Sequence, residues 1–421
     1  MAACLAKTQC KVLHIDDSDF YGEQDGSISY IEFKKLADAG IKNPDASGII
    51  KIDLETHGDP SADRHYSLDI SVPKVLFGRS PSVDYLIHHD VSKYLSFASV
   101  TQLRVKSEGE ASLIIPTTRN SIFQNKELKL SEKRALMNLF KSSAASASTA
   151  IESSASFGQA RETSNNSVES MNAVEYLTDH IQLKRPELVS GIIHACCLYT
   201  KPAEFMPASL LLDRLKQFVS SLTQYEEGNP FLVPMYGNSD IAQSFARTAA
   251  VAGAVYILSC DETALWTELK SHGCDPRRPQ LLPITESNST VFHGIACCKS
   301  GNDHHISLTV LTPKSFDEPP IFALTLPNSD SGVIVCPPGL TVFHFVQTSL
   351  ASSTEESFKA AIDSFLDGEE VVFKTTMINK VSSEDPFSLE FEFEVARKTF
   401  NSLMGKAADE PLSLPQTCSL V

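Results

Sequence analysis

Titratable side chains in close succession are the first places to look for chemistry, and this chain offers three: His88-His89, His304-His305 and Asp16-Asp17. Neighbouring side chains diverge on either a helix or a strand, so neither histidine doublet puts two ring nitrogens on one metal. No acid cluster accompanies them, and they read as surface or internally satisfied histidines. Asp16 closes a short apolar run and Asp17 belongs to a turn, which accounts for both without an acidic dyad. Ten cysteines (Cys4, Cys10, Cys196, Cys197, Cys260, Cys274, Cys297, Cys298, Cys336 and Cys418) show no Cys-x-x-Cys and no Cys/His spacing suited to zinc. Most are expected to be reduced, buried thiols acting as small hydrophobes. Walker A, His-Glu-x-x-His and Gly-x-Ser-x-Gly patterns are all missing, so nothing nominates a nucleophile.

One charged pair remains. Asp240 and Arg247 are seven residues apart, which places them about 20° from one another around a helix of 3.6 residues per turn. They share a face, beside an apolar stripe of Ile241, Phe245 and Ala249 that packs inward. A plain solvated face and a docking face both fit this spacing.

The elements around that pair read as follows. FLVPMYGNSDIAQSFARTAAVAGAVYIL is loop, helix and buried strand, with Ser239 or Asp240 capping the helix and Ala254 to Leu258 forming the strand. Near the start, Ala2 to Lys7 is a small-residue helix. Lys11 to Asp16 then reads as a buried parallel strand, the second of a doubly wound sheet. No strand and no Gly-x-Gly-x-x-Gly turn stand upstream of it, so the expectation is an incomplete or mis-started chain lacking a phosphate cradle. A helical unit begins after Thr118. Leu136, Leu139 and Phe140 mark one apolar stripe; Val174, Leu177 and Ile181 follow, Pro186 opens a helix through Cys196, and Leu211, Leu215 and Phe218 mark another. These stripes either pack against one another or enclose an apolar groove. Residues 142–170 are rich in serine and poor in large apolar side chains, which predicts a mobile loop. Beyond Pro283, strand-like HISLTVLT and TVFHFVQTSL precede helices at Glu355 to Leu366 and in SLEFEFEVARKTFNSLM.

Composition narrows the partners. The 421 residues are 42% hydrophobic and 21% charged, enough for two or more domains with a real core. A formal net charge of -16 argues against nucleic acid, whose binding requires clustered cations, and suits a basic protein partner or mere solubility. No run of about 18 apolar residues is present, and a cytosolic location is expected. Cys418-Ser419-Leu420-Val421 has the outline of a prenylation signal with an unusual terminal Val.

The motifs fall into a recognisable order. KVLHIDDSDFYGE (Lys11 to Glu23) resembles the VLHxDRNxYYGG stretch of the Rab GDP-dissociation inhibitor and Rab escort protein family. SLDISVPKVLFGRSPSVDYLIHHDVSKYLSF is similar to the region that follows in that family, and PMYGNSDIAQSFAR resembles its PLYGxGELPQxFxR motif. The resemblance runs from the first residues to about Met404, weakly at 24–63 and in the serine-rich segment. It implies an α/β (α+β) fold: a sheet-containing domain related to flavin-binding folds but using no flavin, over 1–117 and 223–405, and a helical prenyl-binding domain over 118–222, with 406–421 a flexible tail. It places a Rab-binding platform on Tyr21, Asp240, Arg247, Val255 and Ile257. The family has Glu where this chain has Asp240, and Gly where it has Glu23. With the groove reading, Leu136, Leu139, Phe140, Leu211, Leu215 and Phe218 would line the geranylgeranyl site. IFQNKELKLSEKRALMNLFK is more similar to the escort proteins' version. The implied function is therefore a non-enzymatic escort that holds GDP-bound Rab GTPases for Rab geranylgeranyl transferase and delivers them with only transient membrane contact. A dissociation inhibitor recycling prenylated Rabs is the alternative, and a flavin-dependent oxidoreductase a more distant one.

Overall fold

The computed structural model describes the chain except residues 9, 17, 23–24, 41–47, 59, 61–64, 154–170, 226–227, 262, 264, 266, 268–270, 272–288, 302–303, 329–331, 382, 384 and 406–421, and the side chains of 145–153. Asp17, Glu23, Cys274, Cys418 and the tail thus lie outside the described residues.

Long apolar runs build the central sheet. Its eight strands lie in the order β3 (Ile49–Thr56), β15 (Val371–Val381), β11 (Ser289–Lys299), β14 (Leu340–Thr348), β13 (Ile321–Pro327), β12 (Ser307–Leu311), β7 (Gln102–Lys106) and β8 (Leu113–Ile114). All neighbours are antiparallel except β12 and β7. The middle strands are buried on both faces, as their unbroken hydrophobic character requires. One face is covered by α9 (Glu355–Phe365), whose start is fixed by a Thr354/Ser357 capping box. Its Phe358 and Ile362 pack on Phe292 and Phe345. Gly294 lets α9 come close, since a Cβ there would sit 2.7 Å from Ile362 Cδ1.

The other face meets the helices. α4 (Arg119–Gln124) opens on a Thr118/Ser121 capping box, α5 (Leu130–Ser153) follows, and α6 (Pro186–Ser190) begins at its proline and runs on as a wider helix through Gly191–Cys196. α7 (Ala208–Ser221) completes this group. One continuous core joins them to the sheet, so Leu136, Leu139 and Phe140 of α5 and Leu211, Leu215 and Phe218 of α7 are all at most 8% exposed. The Phe140 and Phe218 rings lie 5.9 Å apart. The stripes have packed against each other, the first of the two arrangements left open by their spacing. α5 also corrects the loop expected from residue 142: the backbone stays helical to Ser153, because alanine is a strong helix former and a long amphipathic segment has already nucleated the helix. The remainder of that segment, 154–170, lies outside the described residues.

Three small sheets surround this body. β2 (Ser27–Ile28) pairs with β4 (Leu68–Asp69), and β5 (Leu76–Phe77), β9 (Phe231–Pro234) and β6 (Phe97–Ser99) form a second, so the segment read as a loop before the Asp/Arg helix is a fully buried strand. β1 (Leu13–Ile15) and β10 (Val255–Ile257) make a parallel pair. β1 is not the buried strand its apolar character suggested: Leu13 is 43% exposed, because β10 is its one neighbour among the described residues. The remaining helices are α1 (Ala2–Lys7), α2 (Tyr30–Ala39), α3 (Pro81–His88), α8 (Asn238–Val251) and α10 (Glu390–Leu403). Among the described residues no helix is long and apolar enough to cross a membrane.

Candidate functional site

Helix α8 carries the Asp/Arg pair, and its start is held by an unusual device. Gly237 precedes it with φ 87°, and a Cβ there would lie 2.7 Å from Ser27 Oγ and 2.8 Å from Asp69 Oδ1. The Asn238 backbone N–H donates to Asp69 Oδ1 (2.8 Å), Ser27 Oγ donates to the same oxygen (2.6 Å), and the Ser239 N–H donates to Ser27 Oγ (2.9 Å). The carboxylate on β4 therefore caps the helix, where Ser239 or Asp240 had been expected to do so. Burial pushes Asp69 up to about 6, against the lowering effect of these hydrogen bonds. Ser239 Oγ donates to the Tyr21 carbonyl (3.1 Å), which ties the segment after β1 to α8.

The inner face of α8 packs through Ile241 against α3 and β5, through Ala249 against Ala3 and Ala6 of α1, and through Phe245 against Phe393 of α10. Its outer face opens on a cleft of about 360 Å³ lined by Tyr21, Tyr94, Asp240, Gln243, Ser244, Ala246, Arg247, Ala250 and Tyr256. Arg247 is exposed and stacks on Tyr94, its Cζ 4.6 Å from the ring centroid. Asp240 is half-buried, with Oδ2 sealed from water and unpartnered. Burial raises its carboxyl above the usual range, offset by the Ser96 backbone N–H. The two residues form no salt bridge with each other, and both line the cleft.

Three of the five residues assigned to a platform, Tyr21, Asp240 and Arg247, meet in this cleft. Val255 and Ile257 do not: strand alternation directs Tyr256 into it and leaves them 56% and 37% exposed elsewhere on β10. Tyr256 contacts Tyr21 edge-on (6.1 Å) and stacks on His14 (4.6 Å), and burial, with Tyr21 beside it, pushes its phenol up to about 12. Gln243 and Ser244 were legible as positions three and four beyond Asp240 on one helical face. Tyr94, which ends a 3₁₀ turn at Val91–Tyr94, had no local signal at all. The other candidates lie apart from this cleft. His304 and His305 are exposed, His88 is exposed, and His89 is buried with Nδ1 unpartnered. Asp16 Oδ1 accepts the Ser18 N–H (2.9 Å), an Asx turn. No group of three or more metal-ligating side chains occurs among the described residues.

A mixed α/β body with this sheet arrangement belongs to the flavin-binding-like class of folds. A Rab GDI crystal structure from Plasmodium falciparum superposes with a TM-score of 0.61 over 96% of this chain and 95% of that one at 16% identity, and an oxidoreductase from Methanosarcina mazei with 0.50 over 89% and 84% at 11%. The family model described as GDP dissociation inhibitor matches residues 1–273, and the chain belongs to that family. Similar relatives are Guanosine nucleotide diphosphate dissociation inhibitor 2 of Arabidopsis thaliana (27% identical, 62% of this chain, 53% of that protein) and Rab escort protein 1 of the same plant (22%, 86% and 76%). A third is human Rab proteins geranylgeranyltransferase component A 1 (24%, 81% and 53%). The chain thus matches about half the length of two of these three.

Proposed function

We propose that this protein binds Rab GTPases in the GDP state and escorts them to Rab geranylgeranyl transferase, as an accessory component and not as the catalyst. The cleft on α8 carries the reading: a guanidinium and a carboxylate left unpaired on one helix face, walled by Tyr21, Tyr94 and Tyr256, suit a polar protein surface better than a small apolar substrate. The choice of an escort role over recycling by a dissociation inhibitor rests on IFQNKELKLSEKRALMNLFK, which is more similar to the escort proteins' version and spans the end of α4 and the start of α5.

In this mechanism the cleft holds the GTPase, its flexible tail reaches the transferase, and the helical unit at 118–222 shelters the added geranylgeranyl chain. That last step requires α5 and α7 to part, since the six residues between them are buried in contact. Each methylene of the lipid that replaces this contact contributes about 0.8 kcal/mol. The protein works in the cytosol, touching membranes only at delivery.

The test mixes purified protein with unprenylated GDP-loaded Rab, the transferase and labelled geranylgeranyl donor. Transfer of label with wild type and its loss with Arg247→Ala is the expected result. Binding to prenylated Rab without any transfer means a dissociation inhibitor; binding to neither form rejects both.

A further inference from the structure

Arg247 has one contact that its helix does not supply. Its guanidinium lies over Tyr94, a residue 153 positions earlier on a separate turn, and no carboxylate of the described residues forms a salt bridge with it. The turn that carries the tyrosine is held at several points. Ser244 Oγ, one helical turn before Arg247, donates to the Tyr94 carbonyl at 2.9 Å. Lys7 of α1 donates to the His89 carbonyl at 2.7 Å and pairs with Asp90, which also pairs with Lys93 at 2.8 Å. Asp90 stands in the left-handed region at φ 62°, so the turn that leads to Tyr94 has a set geometry. Asp240 lines the same cleft; its carboxylate accepts the Ser96 backbone N–H and keeps Oδ2 unpartnered and sealed from water. A long arginine side chain that is free to move falls onto such a carboxylate, because the pair attracts in a half-buried site.

We infer that Tyr94 is a positioning residue of the cleft: by stacking on Arg247 it keeps the guanidinium from closing onto Asp240, so that both charges stay available to a bound partner. The inference rests on the cleft being the docking site, and it explains why a charged pair on one helix face remains open. The aromatic face is what acts, so Tyr94→Phe retains the effect, whereas Tyr94→Leu frees Arg247 to pair within the protein.

Two readouts test this. Affinity for GDP-loaded Rab is expected to fall about tenfold in Tyr94→Leu, to hold in Tyr94→Phe, and to fall no further when Tyr94→Leu is added to Arg247→Ala. Carbon-13 titration of labelled aspartate is expected to show Asp240 titrating lower in Tyr94→Leu than in wild type, and unchanged in Tyr94→Phe; a merely structural role does not move it. Thermal melts confirm folding, and Tyr94→Met replaces Tyr94→Leu where that variant does not fold. Wild-type affinity in Tyr94→Leu, or a loss that adds fully to that of Arg247→Ala, overturns the inference. Where wild type itself does not bind Rab, the proposed function fails, and the Asp240 titration alone decides: a lowered value supports the positioning role and an unchanged one ends it.

Discussion

Gly237 shows how much a single backbone position carries. It turns the chain at φ 87° from β9 into α8, and Ser27 and Asp69 stand where a side chain would be. Gly237→Ala is expected to lower stability by about 1–3 kcal/mol in urea unfolding and to weaken Rab binding with it, because the first turn of α8 shifts away from its capping carboxylate. An unchanged urea midpoint would show that the turn tolerates a methyl group. The sequence announced the helix and the shared face of Asp240 and Arg247, and the family resemblance pointed to Tyr21, which lines the same cleft. It was silent on Asp69 and Tyr94, which reach the site from 169 and 153 residues away, because no periodicity encodes a contact between separate elements.

Among the elements, α9 separates two kinds of attachment. Lys359 bonds Asp53 and Glu355 at 2.8 Å, Lys51 bonds Glu355 at 2.7 Å, and Lys374 bonds Asp363 at 2.7 Å, all on partly exposed surface. Such pairs contribute about 0–1 kcal/mol each and fade with salt. Phe358 beneath them is 1% exposed. Lys359→Ala is therefore expected to cost under about 1 kcal/mol, and less in high salt, whereas Phe358→Ala costs about 3–5 kcal/mol. Equal losses by denaturant titration would mean that the charges hold the helix. The same contrast governs what was legible: α9 and α7 followed from apolar spacing, and α10 from an acidic segment near the end. The exposure of β1 and the pairing of β9 did not follow, since a short apolar run has the same pattern whether it is central, at an edge or between strands. Helix length in α5 was misread for a related reason, as serine content reports on solvation more directly than on backbone shape.

For the whole molecule, protons decide stability in acid. His194 is buried, its Nδ1–H donating to the Tyr199 carbonyl (2.6 Å), and burial lowers it to about 4; His293 and His344 touch at 3.1 Å inside the sheet, with burial lowering His293 to about 3 and His344 well below its ordinary 6.5. The unfolded chain therefore takes up protons near pH 6.5 that the folded chain refuses, and stability falls as pH drops from 6.5 toward 4. His194 alone accounts for about 2 kcal/mol at pH 5. Asp69 acts in the opposite sense: raised from 3.8 to about 6, it gives stability back as pH falls through that window, but it is one group against three. Urea midpoints are expected to be clearly lower at pH 5 than at pH 7.5, and a flat profile would show that the buried rings find hydration. The parallel pair of β1 and β10 has its own consequence for handling the protein. Leu13, Val255 and Ile257 lie exposed on it, beside a β1 edge that no described strand covers. Such an edge is a template on which a second molecule can zip up, so concentrated stocks of the lone protein are expected to cloud with time, and stocks mixed with a bound GTPase to stay clear.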